Sequence, residues 1–398
     1  NEGMMGVSKN TSHPPMNDAL RQRLTQSHFC LQHELVPLVE SDLKQALTPK
    51  LSQLLRIWEQ VEIERFVPST RGVVGRPQRE RVALARAFVA KAVLGLTETS
   101  ALVERLMSDV LLRRLCGFDM RCKTPLNESL FSRAFTQFTQ QDLPARVHAA
   151  LIKTQLGDAL IGHLSRDSTA IEARESVVKT APIAALIAAA DTASTPPRKR
   201  GRPRKGEARP APEPSRLARQ AAGQAAGQSV AAMLAELSST CDIGVKKNSE
   251  GYKYAWKGYK LHLDVADGMI PISVILTSAS VHDSQVAIPL AMMSAQRVTS
   301  LYDVMDAAYC SPIIRTHSRS LGHVPLIDHN PRSGEKMEFA PHEAQRFKER
   351  STVERVNARL KDNFGAHRVN VRGAAKVMTH LMFAVLVLTA DQLQRWMI

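Results

Sequence analysis

The chain has 398 residues, of which 44% are hydrophobic, so it is long enough for two or three domains and can bury a core. Its formal net charge of +15 favours polyanionic partners, although on charge alone a basic protein without such a partner is the alternative. No apolar run reaches the roughly 18 residues of a membrane span, and the five scattered cysteines argue against a disulfide framework or a zinc ribbon.

The first part of the chain predicts helices. Residues 1–20 are polar and contain prolines, which indicates a disordered tail. Residues 21–155 predict a helical domain, with one strong helix over residues 82–94 and a second over residues 99–114. Residues 127–138 predict an amphipathic helix whose phenylalanines lie on one side.

Two of these short helices are joined by a turn that contains Gly and Pro. The second helix carries Ser132, Arg133 and Thr136, residue types that contact DNA in helix-turn-helix proteins. Plain packing in a helix bundle explains the same pattern, so both interpretations stand at this point.

The composition changes over residues 177–239, which are rich in Ala and Pro. Within them, residues 198–209 hold seven Lys and Arg residues and one acidic residue, a composition that cannot bury enough apolar surface to fold alone. The segment Arg200-Gly-Arg202-Pro-Arg204 resembles the core of an AT-hook, whose extended arm fits a narrow A·T minor groove. A localisation signal or an unspecific phosphate clamp are the alternatives. Residues 216–237 then predict an Ala-rich helix.

The remaining sequence predicts a mixed α/β layer around a central sheet. A strand is expected at residues 161–168, followed after the insertion by a hairpin with its turn at Asp267-Gly268. Two further strands, residues 300–306 and 324–328, alternate with helices, and a charged helix over residues 347–361 comes near the end. The predicted domains are therefore 21–155, the insertion 177–239, and a sheet domain formed by residues 156–176 and 240–398.

Three carboxylates on separate elements of this sheet domain suggest a metal site. Asp167 ends the first predicted strand, Asp306 ends a later one, and Glu354 lies on the charged helix. If the two strands are neighbours, their carboxylates converge, and Mg²⁺ takes such oxygen ligands. Two metal ions bound in this way can catalyse the cleavage or transfer of a phosphodiester. Taken singly, each residue has an ordinary explanation: a cap for each aspartate and a surface ion pair with Arg350 for Glu354. Asp303, on the opposite pleat face, is the weaker candidate.

The spacing Arg350-(3)-Glu354-(6)-Lys361 resembles the Tyr-(2)-Arg-(3)-Glu-(6)-Lys signature of bacterial insertion-sequence DDE transposases, with Phe347 at the position of the Tyr. Further segments are similar to the same family in their order along the chain: Gly75-Arg-Pro, Ser165-Arg-Asp167-Ser-Thr, Trp256-Lys-Gly-Tyr-Lys-Leu-His, His282-Asp-Ser and Met305-Asp306-Ala-Ala-Tyr309-Cys-Ser311. The resemblance covers about residues 70–395.

The resemblance implies a ribonuclease H-like sheet with flanking helices, an all-α N-terminal domain that binds DNA ends, and dependence on Mg²⁺, with Mn²⁺ as a possible substitute. It implies cleavage at transposon ends and strand transfer into target DNA. Asp167, Asp306 and Glu354 would then be the catalytic and metal-binding residues, and Arg350 and Lys361 would contact phosphates. Phe347 would keep a stacking face but lose the hydroxyl.

Partners follow from the same resemblance. The expected partner is double-stranded DNA, both as transposon ends and as target, and the protein is expected to be a homodimer. No membrane and no small-molecule substrate are expected. The expected location is the bacterial cytoplasm, near the nucleoid. Two other functions remain open: a metal-dependent nuclease that cuts without joining, and a catalytically inactive DNA-binding regulator of its own element. Two residues keep two explanations each: Trp256 stacks on a base or lies in the core, and Asp283 lines the site or, as the better explanation, caps a helix.

Overall fold

The computed structural model describes residues 48–68, 81–118, 126–177, 213–247, 250–330 and 337–396. The chain divides into two compact units, Asn1–Ser52 and Gln53–Ile398. Only residues 48–52 of the first unit are described, and apart from the bounds of the helix that begins there, everything below concerns the second. The predicted tail, the Gly75 segment and the basic residues Arg200, Arg202 and Arg204 lie outside the described residues.

Helices and strands alternate after an all-helical start. The helices are α1 (Pro49–Val61), α2 (Arg81–Val93), α3 (Thr99–Ser108), α4 (Val110–Cys116), α5 (Glu128–Gln140), α6 (Leu143–Leu156), α7 (Arg216–Ala225), α8 (Val230–Ala235), α9 (Ala287–Ala295), α10 (Pro312–Ser320), α11 (Pro341–Phe347), α12 (Ser351–Asn363) and α13 (Ala374–Trp396). The strands are β1 (Leu160–Ala173), β2 (Asp242–Lys247), β3 (Lys253–Ala266), β4 (Ile270–Ser278), β5 (Thr299–Met305), β6 (Val324–Ile327) and β7 (Arg368–Val369).

The strands form one mixed sheet centred on β1. The long strands β1 and β3 are antiparallel, and β4 continues the antiparallel pairing on β3. On its other side β1 pairs with β5 in parallel, and β5 pairs with β6 in parallel. The order β4-β3-β1-β5-β6 therefore places the most buried strands in the middle of the sheet, with β2 extending β3 and β7 extending the β5 side of β1.

The predicted hairpin and helices are largely confirmed. The strands β3 and β4 meet at the predicted turn, where Gly268 has a φ of 76°. The predicted helix 99–114 is in fact two helices, because Asp109 interrupts it and accepts a hydrogen bond from the backbone of Leu112 as the N-cap of α4. Similarly, Ser215 and Ser229 cap two helices, α7 and α8, where one was expected. The strands β2 and β7 were not predicted.

The helix α13 forms the centre of the core. Among the described residues, this helix is the one that is long and apolar enough to cross a membrane. However, 78% of its most apolar 18-residue stretch is buried inside the protein, as in a core helix. It packs against β4, α6 and α2, and Phe383 stacks on Phe88 at 5.7 Å between ring centroids. Phe88 also contacts Phe131, Phe135 and Phe138, the predicted apolar side of α5. These contacts join the N-terminal helices to the core; where one domain ends and the next begins stays a prediction.

Candidate active site

Asp167 and Asp306 lie side by side at the carboxyl end of β5. The last pair in the parallel β1–β5 register joins Arg166 to Met305, so the next residue on each strand is an aspartate. The two strands are therefore neighbours, which is what the predicted convergence of the two carboxylates requires. The prediction that Asp167 ends its strand is wrong: β1 continues to Ala173 because β3 still pairs with it after β5 has stopped.

The Asp167 carboxyl is almost enclosed, with 8% of the residue exposed. Burial raises its pKa to about 6, and the like charge of Asp306 adds to the rise. The backbone amide of Ser168 and the cations Lys246 and Arg350 act in the opposite direction. The ionised form of Asp167 is therefore less stable in the folded protein than in water, and a bound cation would stabilise it.

Asp306 caps the 3₁₀ turn Ala307–Tyr309, where its Oδ1 accepts a hydrogen bond of 3.0 Å from the Ala308 amide. The ordinary capping role is thus present, as the alternative explanation required. Burial nevertheless raises the pKa of Asp306, and the nearby carboxylate of Asp283 raises it further. The Ala308 amide and the Arg350 guanidinium lower the pKa but do not cancel the rise. Both aspartates of the pair consequently share an environment that disfavours their charges.

Asp283 is a third carboxylate near this pair. Its Oδ1 accepts a hydrogen bond of 3.1 Å from Lys260 Nζ, and the Ser168 hydroxyl also bonds to it. Burial alone would raise the pKa of Asp283, but its basic and hydroxyl neighbours lower it. His262 Nδ1 lies 3.9 Å away, but burial lowers the pKa of that imidazole to about 4. His262 is neutral near pH 7, so Lys260 is the cation that keeps Asp283 ionised.

The expectation that Asp283 caps the helix is wrong. His282 is the residue at the N-cap, and its Nδ1 accepts a hydrogen bond of 3.3 Å from the Ser284 amide. The Asp283 side chain is thereby free to point towards β1 and β3. Its partner Lys260 was missed in the sequence because an isolated Lys in a strand looks like a solvent-facing residue. The available signal was the spacing of Lys260 and His262, two residues apart and so on one face of the strand.

The charges of the three carboxylates reach Tyr309, which has 1% of its surface exposed and whose hydroxyl has no hydrogen-bond partner among the described residues. Burial raises the pKa of this phenol well above its ordinary value, and the charges of Asp283, Asp167 and Asp306 raise it further. A fully buried hydroxyl without a partner costs about 1–3 kcal/mol. A donor of this kind beside three acids can form a hydrogen bond to them after a small rearrangement.

Glu354 forms an ion pair with Arg350, whose positive charge also acts on both aspartates. Arg350 ends the 3₁₀ turn Lys348–Arg350, just before α12, and its Nη1 lies 2.8 Å from Glu354 Oε1. The same guanidinium lowers the pKa of Asp167 and of Asp306. The Glu354 side chain is 51% exposed. In the described part of the chain, no three His, Cys, Asp or Glu side chains are grouped closely enough to hold a metal ion, so Glu354 does not close a cluster with the pair.

Lys361 lies seven residues beyond Glu354 on α12, about two helical turns, and this helix packs against β1 and β3. Burial lowers its pKa, and the ammonium of Lys246 lowers it further, whereas Glu172, Asp362 and Asp167 act against the shift. The charges of Lys246, on β2, and Lys361, on α12, thus act on each other and on that of Asp167. Lys246, on the strand that was not predicted, is another residue that the sequence reasoning missed.

The remaining candidates have structural explanations. Asp303 is buried on the other side of its strand, where it accepts hydrogen bonds from Ser318 Oγ at 2.6 Å and binds His323 Nδ1 at 3.2 Å. Trp256 is 5% exposed and its indole donates to the Tyr259 carbonyl, so of its two explanations the core position is observed. The Phe347 ring packs on Phe339 with 4.7 Å between centroids, which uses the stacking face that the residue retains.

Comparison with protein families gives two matches. The model described as "Transposase DDE domain" matches residues 228–390, which include Asp306 and Glu354, and the model described as "Transposase domain (DUF772)" matches residues 38–137. Asp167 precedes the first match, on the other side of the insertion. No curated protein and no solved structure matches significantly. The two matches confirm the predicted resemblance to insertion-sequence DDE transposases, whose DDE domain has the ribonuclease H-like sheet described above.

Proposed function

We propose that this insertion-sequence DDE transposase cleaves DNA at the ends of its element and transfers the freed strands into target DNA, with Mg²⁺ as its cofactor. The family matches make the chain a transposase and a DNA-modifying enzyme. The observation that carries the finer proposal is the register of β1 and β5, which brings Asp167 and Asp306 to the same level of adjacent strands.

The donor set suits a hard divalent cation. Asp167 and Asp306 offer carboxylate oxygens, and the pKa of each is raised by burial and by a like charge, so a cation bound between them would relieve a repulsion. In this proposal Asp167 and Asp306 hold Mg²⁺, with Mn²⁺ as a substitute, and Glu354 joins them after leaving Arg350. When bound, the metal would supply positive charge to the attacking and leaving oxygens of a phosphodiester.

The protein's own groups would hold the DNA and the acids in place. Arg350 offers a bidentate fork to a phosphate, and Lys361 offers a point charge from the next turns of α12. Lys260 keeps Asp283 ionised beside the pair. In this proposal Tyr309 would donate its hydroxyl to one of the carboxylates and so fix the orientation of that group.

The N-terminal helices are proposed to bind the ends of the element. On α5, Phe131, Phe135 and Phe138 face the core, which leaves Ser132 and Arg133 exposed to solvent. This is the arrangement that a recognition helix needs, and it agrees with either a helix-turn-helix or a bundle. A homodimer is proposed because two ends must be held together, and a location on the bacterial chromosome in the cytoplasm follows from the substrate.

The test uses the full-length protein and a supercoiled plasmid that carries the element between its own ends. Nicks at the ends and joined products are followed in MgCl₂ and in EDTA. We expect both products in MgCl₂ alone, and a loss of at least roughly 100-fold in Asp167→Asn, Asp306→Asn and Glu354→Gln. The matched control is Asp158→Asn, an exposed aspartate just before β1, which should behave as wild type.

Each alternative function has its own outcome. Nicking without joining, even on ends that are already cut, would identify a nuclease. Binding to the ends without any turnover would identify a regulator. Full activity in Asp306→Asn or Glu354→Gln would contradict the assignment of the acids, whatever the products are.

A further inference from the structure

A buried ion pair lies on β1 one residue before Asp167. The Arg166 guanidinium donates two hydrogen bonds to the Asp264 carboxylate, from Nε to Oδ1 at 2.7 Å and from Nη2 to Oδ2 at 2.8 Å. Arg166 is 2% exposed, and Asp264 is fully buried. The two residues are also direct partners in the β1–β3 register, so the ion pair joins the two strands at one level of the sheet.

Two further contacts extend this ion pair to a helix and to a third strand. The Ser294 hydroxyl of α9 donates a hydrogen bond of 2.6 Å to Asp264 Oδ2. Arg166 Nη1 donates to the sulfur of Met305 on β5 at 3.5 Å, and Met305 is the register partner of Arg166 in that strand. We call these four residues the Arg166 network. One guanidinium therefore contacts β3 on one side of its own strand and β5 on the other.

The Arg166 network lies directly behind the proposed metal-binding acids. Asp167 is the next residue after Arg166 on β1, and Asp306 is the next residue after the register partner of Arg166 on β5. Neighbouring residues of a strand point to opposite faces of the sheet. Ser165 shares the face of Asp167, and its hydroxyl donates to the Glu349 carbonyl just before α12. Asp167 thus lies on the α12 face of the sheet and the Arg166 network on the α9 face.

Stability alone does not explain a charged network at this place. Burying two charges costs a desolvation energy that their attraction barely offsets, and apolar residues of similar volume often stabilise a fold as well or better. An arginine–carboxylate pair supplies geometry instead, because the planar guanidinium forms two parallel bonds that fix the distance and the angle between its partners. All four residues are buried, so water competes little for these bonds. The network is therefore suited to holding neighbouring strands in one arrangement.

We propose that Arg166 is a positioning residue, which ties β1 to β3 and β5 and so holds Asp167 and Asp306 at the separation that a divalent metal ion requires. The proposal rests on the proposed function, since it takes the two aspartates as metal-binding acids. Metal ligands act well only when they are held within about 0.5 Å of the productive geometry, and the groups behind them set much of the metal affinity. Arg166 itself would contact neither the metal nor the DNA, because it is buried on the other face.

The experiment follows Mn²⁺ binding and kinetics in the full-length protein. Arg166→Met combined with Asp264→Leu and Ser294→Ala replaces the ion pair and its hydroxyl partner by apolar side chains, so no charge of the pair is left uncompensated. Mn²⁺ affinity without DNA is read from the electron paramagnetic resonance signal of the free ion. We expect this triple variant to melt close to the wild type, with the Kd for Mn²⁺ raised roughly tenfold. In cleavage of the element's ends, kcat should fall roughly 100-fold while KM for DNA stays unchanged.

Arg166→Lys tests the fork without removing the charge. A lysine offers a point charge that cannot hold both oxygens of Asp264 in one plane, so we expect a smaller loss of Mn²⁺ affinity, roughly threefold. This single substitution carries the test if the triple variant does not fold. The matched control is Lys91→Met, which replaces a buried cation of α2, outside the site, and should leave Mn²⁺ affinity and kcat unchanged.

The outcomes separate the positioning role from the proposed function. A folded triple variant or an Arg166→Lys protein with wild-type Mn²⁺ affinity overturns the positioning role and leaves the proposed function standing, and so does an equal loss in Lys91→Met. A wild-type protein that binds Mn²⁺ no better than Asp167→Asn, or that cleaves no DNA with metal, overturns both. Losses in both Arg166 variants with the fold and KM kept, and none in Lys91→Met, support Arg166 as the positioning residue.

Discussion

Arg350, in the turn just before α12, and Glu354, in the first turn of that helix, form an ion pair of 2.8 Å. An exposed pair of this spacing on a helix stabilises a protein by only a few tenths of a kcal/mol. Its importance lies elsewhere, because the Arg350 charge also acts on Asp167 and Asp306. One guanidinium therefore influences all three proposed metal-binding acids.

Replacing Arg350 with Ala should impair catalysis more than binding. Without the guanidinium, the pKa of Asp167 and of Asp306 should rise, so the acidic limb of the pH–rate profile should move to higher pH. We expect a fall in kcat of roughly 100-fold. Arg355→Ala is the control, since Arg355 is exposed and, among the described residues, its hydrogen bonds go to Ser351 and Thr352 on its own turn. Equal losses in the two variants would contradict the role of Arg350.

Replacing Asp167 with Asn should stabilise the metal-free protein. The folded pKa of about 6 lies above that of an unfolded Asp, so the stability present below about pH 4 is lost as the pH rises through 6. Asn carries no charge, and we expect a gain of roughly 1–3 kcal/mol near pH 7.5 in EDTA. MgCl₂ should raise the melting temperature of the wild type but not that of Asp167→Asn. Thermal unfolding measures both effects, and a variant less stable than wild type in EDTA would contradict the argument.

Replacing Tyr309 with Phe separates packing from chemistry. The ring is buried among apolar residues, and in the described part of the chain its hydroxyl has no partner, so Phe should retain the fold and gain up to about 1 kcal/mol. If the hydroxyl orients a carboxylate during the reaction, kcat should fall roughly tenfold while KM for DNA stays unchanged. Urea unfolding together with steady-state kinetics tests this. Wild-type kcat in the variant would assign Tyr309 to packing alone.

Replacing Lys91 with Met should stabilise the helical region. Lys91 is 4% exposed, donates to the Thr97 carbonyl at 2.8 Å and lies 3.4 Å from His380 Nδ1. Burial lowers its pKa to about 8, against the pull of Glu98, so wild-type stability should rise with pH between 8 and about 10.5 as the unfolded chain alone keeps the proton. Met should add about 1–2 kcal/mol at pH 7 and remove that rise. Urea unfolding at both ends of this range measures it, with exposed Lys153→Met as the control, and an unchanged pH dependence would contradict the prediction.

Much of the fold was predictable because the apolar residues of each sequence pattern are the residues that are buried in the structure. The alternation around Asp267-Gly268 predicts the β3–β4 hairpin, and the phenylalanine spacing in α5 predicts its buried side. Asp109 shows the limit: a capping side chain inside a helical pattern breaks the helix without disturbing its apolar period. The strand β2 was missed since its one alternating apolar pair, Ile243 and Val245, is too short to mark a strand and is exposed rather than buried.

The sequence by itself determined the family, the ordered acids and the charged helix, because residue types and short spacings carry that information. Only the tertiary structure decided which side chains meet. The parallel register of β1 and β5 sets Asp167 beside Asp306. Strand pairing is a long-range property, fixed by burial and steric fit over the whole chain, so no local pattern around Asp167 or Asp306 could have shown that the two residues meet.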